Sequence, residues 1–147
     1  MTAAVTLAAL GNGPAFSAYY AGAAQSVTSG TFTKALFNTE LFDTNSCFAS
    51  SRFTPTIAGY YQINATLNFE GSTTRCITSI YKNGTEYDRG FDVSVTTVYK
   101  GSASAIVYLN GTTDYIEIYA FIVGTSLALG ADVTNMQFSG AMVRSAV

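Results

Sequence analysis

Over residues 60–69 the chain alternates without a break: Tyr61, Ile63, Ala65, Leu67 and Phe69 fall on one face, Tyr60, Gln62, Asn64, Thr66 and Asn68 on the other. Side chains of an extended strand point alternately to opposite faces, so this register makes a half-buried β-strand. Helical spacing would scatter the same residues around a cylinder. The pattern recurs along the chain. Residues 75–82 form a second strand, followed by Asn83-Gly84, a strong hairpin signal. A strand over 91–99 follows, with Val93, Val95, Thr97 and Tyr99 on one side, and another spans 104–109. Asn110-Gly111 turns the chain into 115–123, and 135–143 closes it; 14–20 and 32–42 supply earlier strands. Eight to ten short strands with regular turn signals and no helical segment point to an all-β sandwich or jelly roll.

Residues 115–123 break the half-buried rule. Ile116, Ile118, Ala120 and Ile122 suit a core, yet the opposite face carries Tyr115, Glu117, Tyr119, Phe121 and Val123. A strand apolar on both faces of an antiparallel sheet has to be covered on both sides. The cover is either a second copy of the chain or a long loop of the same one. Tyr and Phe are enriched at interface cores, which favours subunit contact.

Charge narrows the partners. Only 11% of the 147 residues are charged, roughly half the usual share for a soluble protein. The net charge is −2, no run of Lys or Arg occurs, and Arg52, Arg75, Arg89 and Arg144 stand singly. That disfavours nucleic acid and anionic membrane surfaces as partners. No apolar run is long enough to insert into a membrane. Residues 2–10 are apolar but have no basic flank, so an N-terminal arm or edge segment over 1–13 is expected in preference to a secretory signal, with one domain over 14–147.

Catalytic groups are scarce. Without His, neither a Ser-His-Asp nor a Cys-His site can be built, and Cys47 with Cys76 falls short of a four-ligand zinc site. The two cysteines form one disulfide or two buried thiols; both readings stand. Nothing selects a glycosidase pair among Glu40, Asp43, Glu70, Glu86, Asp88, Asp92, Asp114, Glu117 and Asp132. No enzyme activity and no cofactor are expected. Asp88 and Asp92 fall in an expected loop as weak candidates for Ca2+, without EF-hand spacing. Three sequons begin at Asn64, Asn83 and Asn110; the last two coincide with Asn-Gly turns and read as turns.

Six fragments in order resemble the globular head of complement C1q, within the wider C1q/TNF-like superfamily. They are Phe16-Ser17-Ala18; Phe37-Asn38 with Phe42-Asp43; Phe53-Thr54-Pro55 through Gly59-Tyr60-Tyr61; Tyr81-Lys82-Asn83-Gly84; Leu109 through Ile116; and Phe138-Ser139-Gly140. The resemblance covers residues 14–143 and marks Phe16, Phe53, Gly59, Tyr61, Asn83, Gly84, Phe138 and Gly140 as core or motif positions. It implies a two-sheet antiparallel jelly roll of about ten strands that assembles as a homotrimer. Tyr115, Tyr119 and Phe121, with Tyr60 or Gln62 near them, become the candidates for the trimer axis. There is no collagen-like stem, and the Ser/Thr/Asn-rich style resembles C1q-like proteins of tailed bacteriophages and bacteria. The expectation is therefore a virion protein: a capsid decoration, head fibre or tail-fibre tip contacting other virion proteins and a host-surface glycan or protein. The alternative is a secreted, extracellular C1q-like lectin that binds glycans.

Overall fold

The alternation folds into eleven strands in the computed structural model, which describes residues 12–97 and 99–146. They are β1 (Ala15–Tyr20), β2 (Gln25–Ser26), β3 (Thr33–Lys34), β4 (Thr39–Asp43), β5 (Phe48–Ala49), β6 (Arg52–Phe53), β7 (Gly59–Lys82), β8 (Thr85–Val93), β9 (Lys100–Leu109), β10 (Ile116–Leu129) and β11 (Asp132–Ser145). No helix occurs among the described residues. The expected arm lies outside them, apart from Asn12 and Gly13.

Two antiparallel sheets result. Sheet A runs β4-β1-β11-β7-β9. Sheet B runs β8-β7-β10, with β6, β3 and β2 in turn along the far edge of β10 and β5 beyond β6. The chain is a two-sheet antiparallel jelly roll. Its core draws on both sheets. Phe16 stacks on Phe48 and Phe53 at 4.8 and 4.5 Å and meets the edge of Phe138 at 4.8 Å. Tyr61 is buried, and its hydroxyl donates to the Ile57 carbonyl at 2.6 Å. Gly140 leaves room for Ile63 and Phe16, since a Cβ there would lie 2.9 Å from each.

One strand was legible only in halves. The expected strands over 60–69 and 75–82 are a single 24-residue strand, β7. Its first part pairs with β9 and β11 in sheet A, and its second with β10 and β8 in sheet B. The polar residues between them, Glu70, Gly71 and Ser72, are exposed where the strand passes from sheet to sheet. Gly71 takes φ +102° there, a conformation that side chains avoid.

The strand expected over 91–99 is also corrected. Asn83 and Gly84, at φ 54° and 77°, form a two-residue turn that pairs Lys82 with Thr85, so β8 begins immediately. Pairing ends at Val93 opposite Cys76, short of the passage of β7 into sheet A. Asp88 and Asp92 are therefore strand residues, not loop residues. The expected strand over 32–42 divides into β3 and β4, one in each sheet. Cys47 and Cys76 are both free and buried.

The β5–β6 hairpin uses the same kind of two-residue turn with different residues. Ser50 and Ser51 sit at φ 51° and 58° between paired Ala49 and Arg52. Left-handed conformations cost a non-glycine residue roughly 1–2 kcal/mol each. Ser51 holds the turn: its buried hydroxyl accepts from the Phe37 amide at 2.8 Å and donates to the Phe37 carbonyl at 3.2 Å.

Among the described residues, the Thr78 hydroxyl is buried without a hydrogen-bond partner. An unsatisfied buried hydroxyl is destabilising, so Thr78→Val, which keeps the shape, is expected to raise stability by about 1 kcal/mol. Urea unfolding at neutral pH measures this; a loss of stability would show that the hydroxyl is bonded in solution.

Candidate interaction surfaces

The outer face of β10 is largely closed by its own chain. Tyr115, Tyr119, Phe121 and Val123 are half-buried and Glu117 is buried. Tyr119 stacks on Tyr81 of β7 at 4.1 Å, and Phe32, just before β3, packs on Phe121 at 5.0 Å and Tyr81 at 5.9 Å. Ile77 lies on this side of β7, opposite Phe121, and is only 2% exposed although it stands outside the main core. A second, smaller layer thus covers sheet B. Its roof is cationic: Arg52 lies 3.9 Å from the Tyr115 ring centre, Arg75 5.7 Å from Phe121 and Arg89 5.8 Å from Phe32. Cations over aromatic faces are attracted by the ring quadrupole.

Each cation is also held by a carboxylate. Glu117 Oε1 accepts from Lys34 Nζ at 2.6 Å and from Arg52 Nε at 2.9 Å. Arg75 grips Asp92 with two hydrogen bonds of 2.9 and 2.8 Å. Arg89 bridges Glu86 and Asp92, and Ser79 donates to Glu86 at 2.7 Å. Asp92 is thus committed to two arginines. No cluster of three or more metal-ligating side chains occurs among the described residues.

The outer face of sheet A is different. Tyr60 and Gln62 lie there, so the five candidates for a single trimer axis divide between two sheets. Tyr60 pairs with Tyr108 across the sheet, their rings 5.5 Å apart, and Gln62 pairs with Ile106. Tyr87 reaches this edge from β8, its hydroxyl donating to the Ile106 carbonyl at 3.2 Å. Tyr60, Tyr87, Ile106 and Tyr108 all stand exposed, Ile106 at 56%. Farther along, the face becomes polar: Gln62 donates to Ser104 at 2.9 Å, Ser104 donates to Asn64 at 2.9 Å, and Thr66 lies 3.1 Å from Ser102. Sequence reasoning missed Ile106 and Tyr108, although alternation over 104–109 contains them.

The remaining motif residues are structural. Asn83 donates to Asp114 at 2.7 Å and accepts from the Tyr115 amide at 2.9 Å. Asn110 Oδ1 accepts the amides of Thr112, Thr113 and Asp114. Both amide side chains thus serve their turns. Asn64 stands exposed on β7. Gly59 is buried against the Arg144 carbonyl, and Phe53 and Phe138 are fully buried.

Similar folds occur among solved structures. Murine APRIL superposes with a TM-score of 0.69 at 10% identity, covering 88% of this chain and 98% of its own. The globular domain of zebrafish complement 1qA gives 0.65 at 19% identity, covering 90% and 98%. The Eiger TNF of S. frugiperda gives 0.60 at 6% identity, covering 92% and 96%. The fold is therefore C1q/TNF-like. No family model and no curated protein matches the chain.

The carboxylates of the covered layer set an acid limit on stability. Burial opposes ionisation of Glu117, but the hydrogen bonds from Lys34 and Arg52 outweigh it and hold its pKa below the ordinary value. Hydrogen bonds from Arg89 lower Glu86, and those from Arg75 lower Asp92. A carboxylate depressed in the folded state contributes stability that is complete above its unfolded pKa and is lost as pH falls through the folded one. The melting temperature is expected to fall below about pH 4.5, the ordinary Glu value, and to be nearly level from there to neutrality. Glu117→Gln leaves two half-exposed cations unpaired, costing about 1–3 kcal/mol at pH 7 and flattening the acid slope. Thermal scans from pH 3 to 7 test both; an unchanged slope in the variant contradicts the assignment.

Proposed function

We propose that the chain is a non-enzymatic, trimeric virion module of capsid-decoration, head-fibre or tail-fibre-tip type, whose loops touch the host surface. The observation that carries the assembly is the exposed row of Tyr60, Ile106 and Tyr108 with Tyr87 beside it. Exposed large apolar side chains gathered on one sheet face mark an interaction site. Tyrosine suits an interface core, and the amides and hydroxyls of Gln62, Asn64 and Ser104 supply a polar continuation. Tyr115, Tyr119 and Phe121 are set aside as axis residues because Phe32, Tyr81, Arg52 and Arg75 already pack on them.

The surroundings of the carboxylates support a non-catalytic reading. A general acid needs a carboxyl held protonated near neutrality. Glu86, Asp92, Asp114, Glu117 and Asp132 all shift the other way, toward permanent ionisation. With no His in the chain, the usual proton shuttle is also missing.

Ile106→Asp, alone and with Tyr60→Asp, places like charges where copies converge. Light scattering after size exclusion is expected to give a trimer for the parent and a monomer for the double variant, with unchanged circular dichroism. A parent that stays monomeric, or a double variant that stays trimeric, contradicts the proposed face. Antibody labelling of purified virions tests the location, and absence of the chain from particles overturns it.

A further inference from the structure

Outside both faces, the β5–β6 hairpin and Lys34 enclose a cleft of about 440 Å³, lined by Lys34, Ser46, Cys47, Ala49, Ser50, Arg52 and Thr54. Several of its polar groups have no hydrogen-bond partner among the described residues. Arg52 commits its Nε to Glu117 and its ring-facing surface to Tyr115, while its two terminal nitrogens bond no described residue. Lys34 donates to Glu117 and to the Ser50 carbonyl at 2.9 Å, with one N–H left over. The hydroxyls of Ser46, Ser50 and Thr54 make no hydrogen bond to any described residue. Two cations thus share one carboxylate, which anchors them without neutralising both. Asp43, behind the loop, spends its two oxygens on the amides of Cys47 and Phe48 at 3.0 and 2.8 Å.

A second observation falls on the same residues. Ser46, Ser50 and Ser51 all sit at positive φ, between 51° and 58°. The Asn83-Gly84 hairpin shows that this chain uses the unstrained residues for such a turn elsewhere. Strain of this kind persists where surrounding bonds over-determine it, and it gathers at ligand sites. Here Ser51 fastens the turn to Phe37 and Lys34 fastens it to the floor. Ser50 and Arg52 are thereby held at the cleft.

We propose that this cleft binds the anionic group of an acidic sugar, a carboxylate or phosphate, with the ring carrying it resting in the remaining space. The Arg52 guanidinium presents a planar donor pair to two oxygens of the anion. The Lys34 ammonium adds charge, and the three hydroxyls take the remaining lone pairs and the ring hydroxyls. A cleft of this volume is within the ordinary range for a small-molecule site. The site is independent of assembly, since none of its residues lies on the Tyr60–Ile106–Tyr108 face.

The test is titration of the isotope-labelled full chain with sodium glucuronate, glucose 6-phosphate, inorganic phosphate and glucose, followed by amide chemical shifts. Glucuronate, glucose 6-phosphate or both are expected to move the amides of residues 46–54 saturably in the millimolar range, and glucose is not. Which of the two binds more tightly identifies the anion. Lys34→Gln is expected to weaken binding at least tenfold, and Lys100→Gln, in sheet A, to leave it unchanged. Ser50→Gly removes a hydroxyl while relaxing the turn, so it is expected to raise the melting temperature and weaken binding at least threefold. That opposite movement separates a site from a merely structural turn and does not depend on a destabilised variant. Inorganic phosphate binding alone means an adventitious ion only and overturns the proposal. So do shifts that map elsewhere, shifts equal for glucose, or affinity unchanged in both cleft variants.

Discussion

Most of this architecture depends on one strand serving two sheets. Backbone groups on both edges of β7 are paired along nearly its whole length, with β9 and β11 in one sheet and with β10 and β8 in the other. An unpaired buried amide or carbonyl is expensive, so neither sheet can detach without stripping the ladder of the other. The bend at Gly71 turns this continuous ladder into a sandwich. Inward residues on either side of it, Tyr61 to Phe69 and then Cys76 to Ile80, feed a single core.

The same continuity creates two unlike outer faces. On sheet B, β10 offers rings that would otherwise meet water, and the chain folds Phe32 and the arginines of β6 and β7 over them, with Arg89 of β8 over Phe32 in turn. The cations stay in place because buried or partly buried carboxylates hold them from beneath or beside. On sheet A nothing equivalent among the described residues closes the Tyr60–Ile106–Tyr108 row. The described residues therefore form one largely self-covered aromatic layer on sheet B and one exposed row on sheet A. A cationic cleft sits at the rim of the sealed layer, where Lys34 and Arg52 emerge from their contact with Glu117.

Legibility in sequence followed the physics of each part. Alternation over 60–69 and at Ile116, Ile118, Ala120 and Ile122 is the direct trace of a strand with one face in a core, and those residues are buried. Strand β8 left little such trace, because it is fixed by its ladder to β7, the Arg75–Asp92 pair, the Ser79–Glu86 hydrogen bond and a turn, with few apolar residues. Glu117 was visible as a lone charge on an apolar face. Its partners Lys34 and Arg52 lie 83 and 65 positions away, however, and only the docking of β3 and β6 on β10 brings them together. The double-sided apolar strand was expected to be covered by another copy, whereas Phe32, Tyr81, Arg52 and Arg75 of the same chain cover much of it. Sequence spacing could not say that this cover would come from Phe32 before β3 and from side chains of β6 and β7. The Ser50-Ser51 turn was invisible because its residues are not those the conformation prefers.

We propose that these two faces differ: one is covered largely within the chain and the other closes between copies. Hydroxyl-radical footprinting read by mass spectrometry, at protein concentrations from nanomolar to high micromolar, measures it side chain by side chain. Oxidation of Tyr60, Ile106 and Tyr108 is expected to fall as concentration rises, while that of Tyr119 and Phe121 stays low throughout. Strong oxidation of Tyr119 and Phe121 at low concentration that vanishes at high concentration, with Ile106 oxidised at every concentration, would contradict the account.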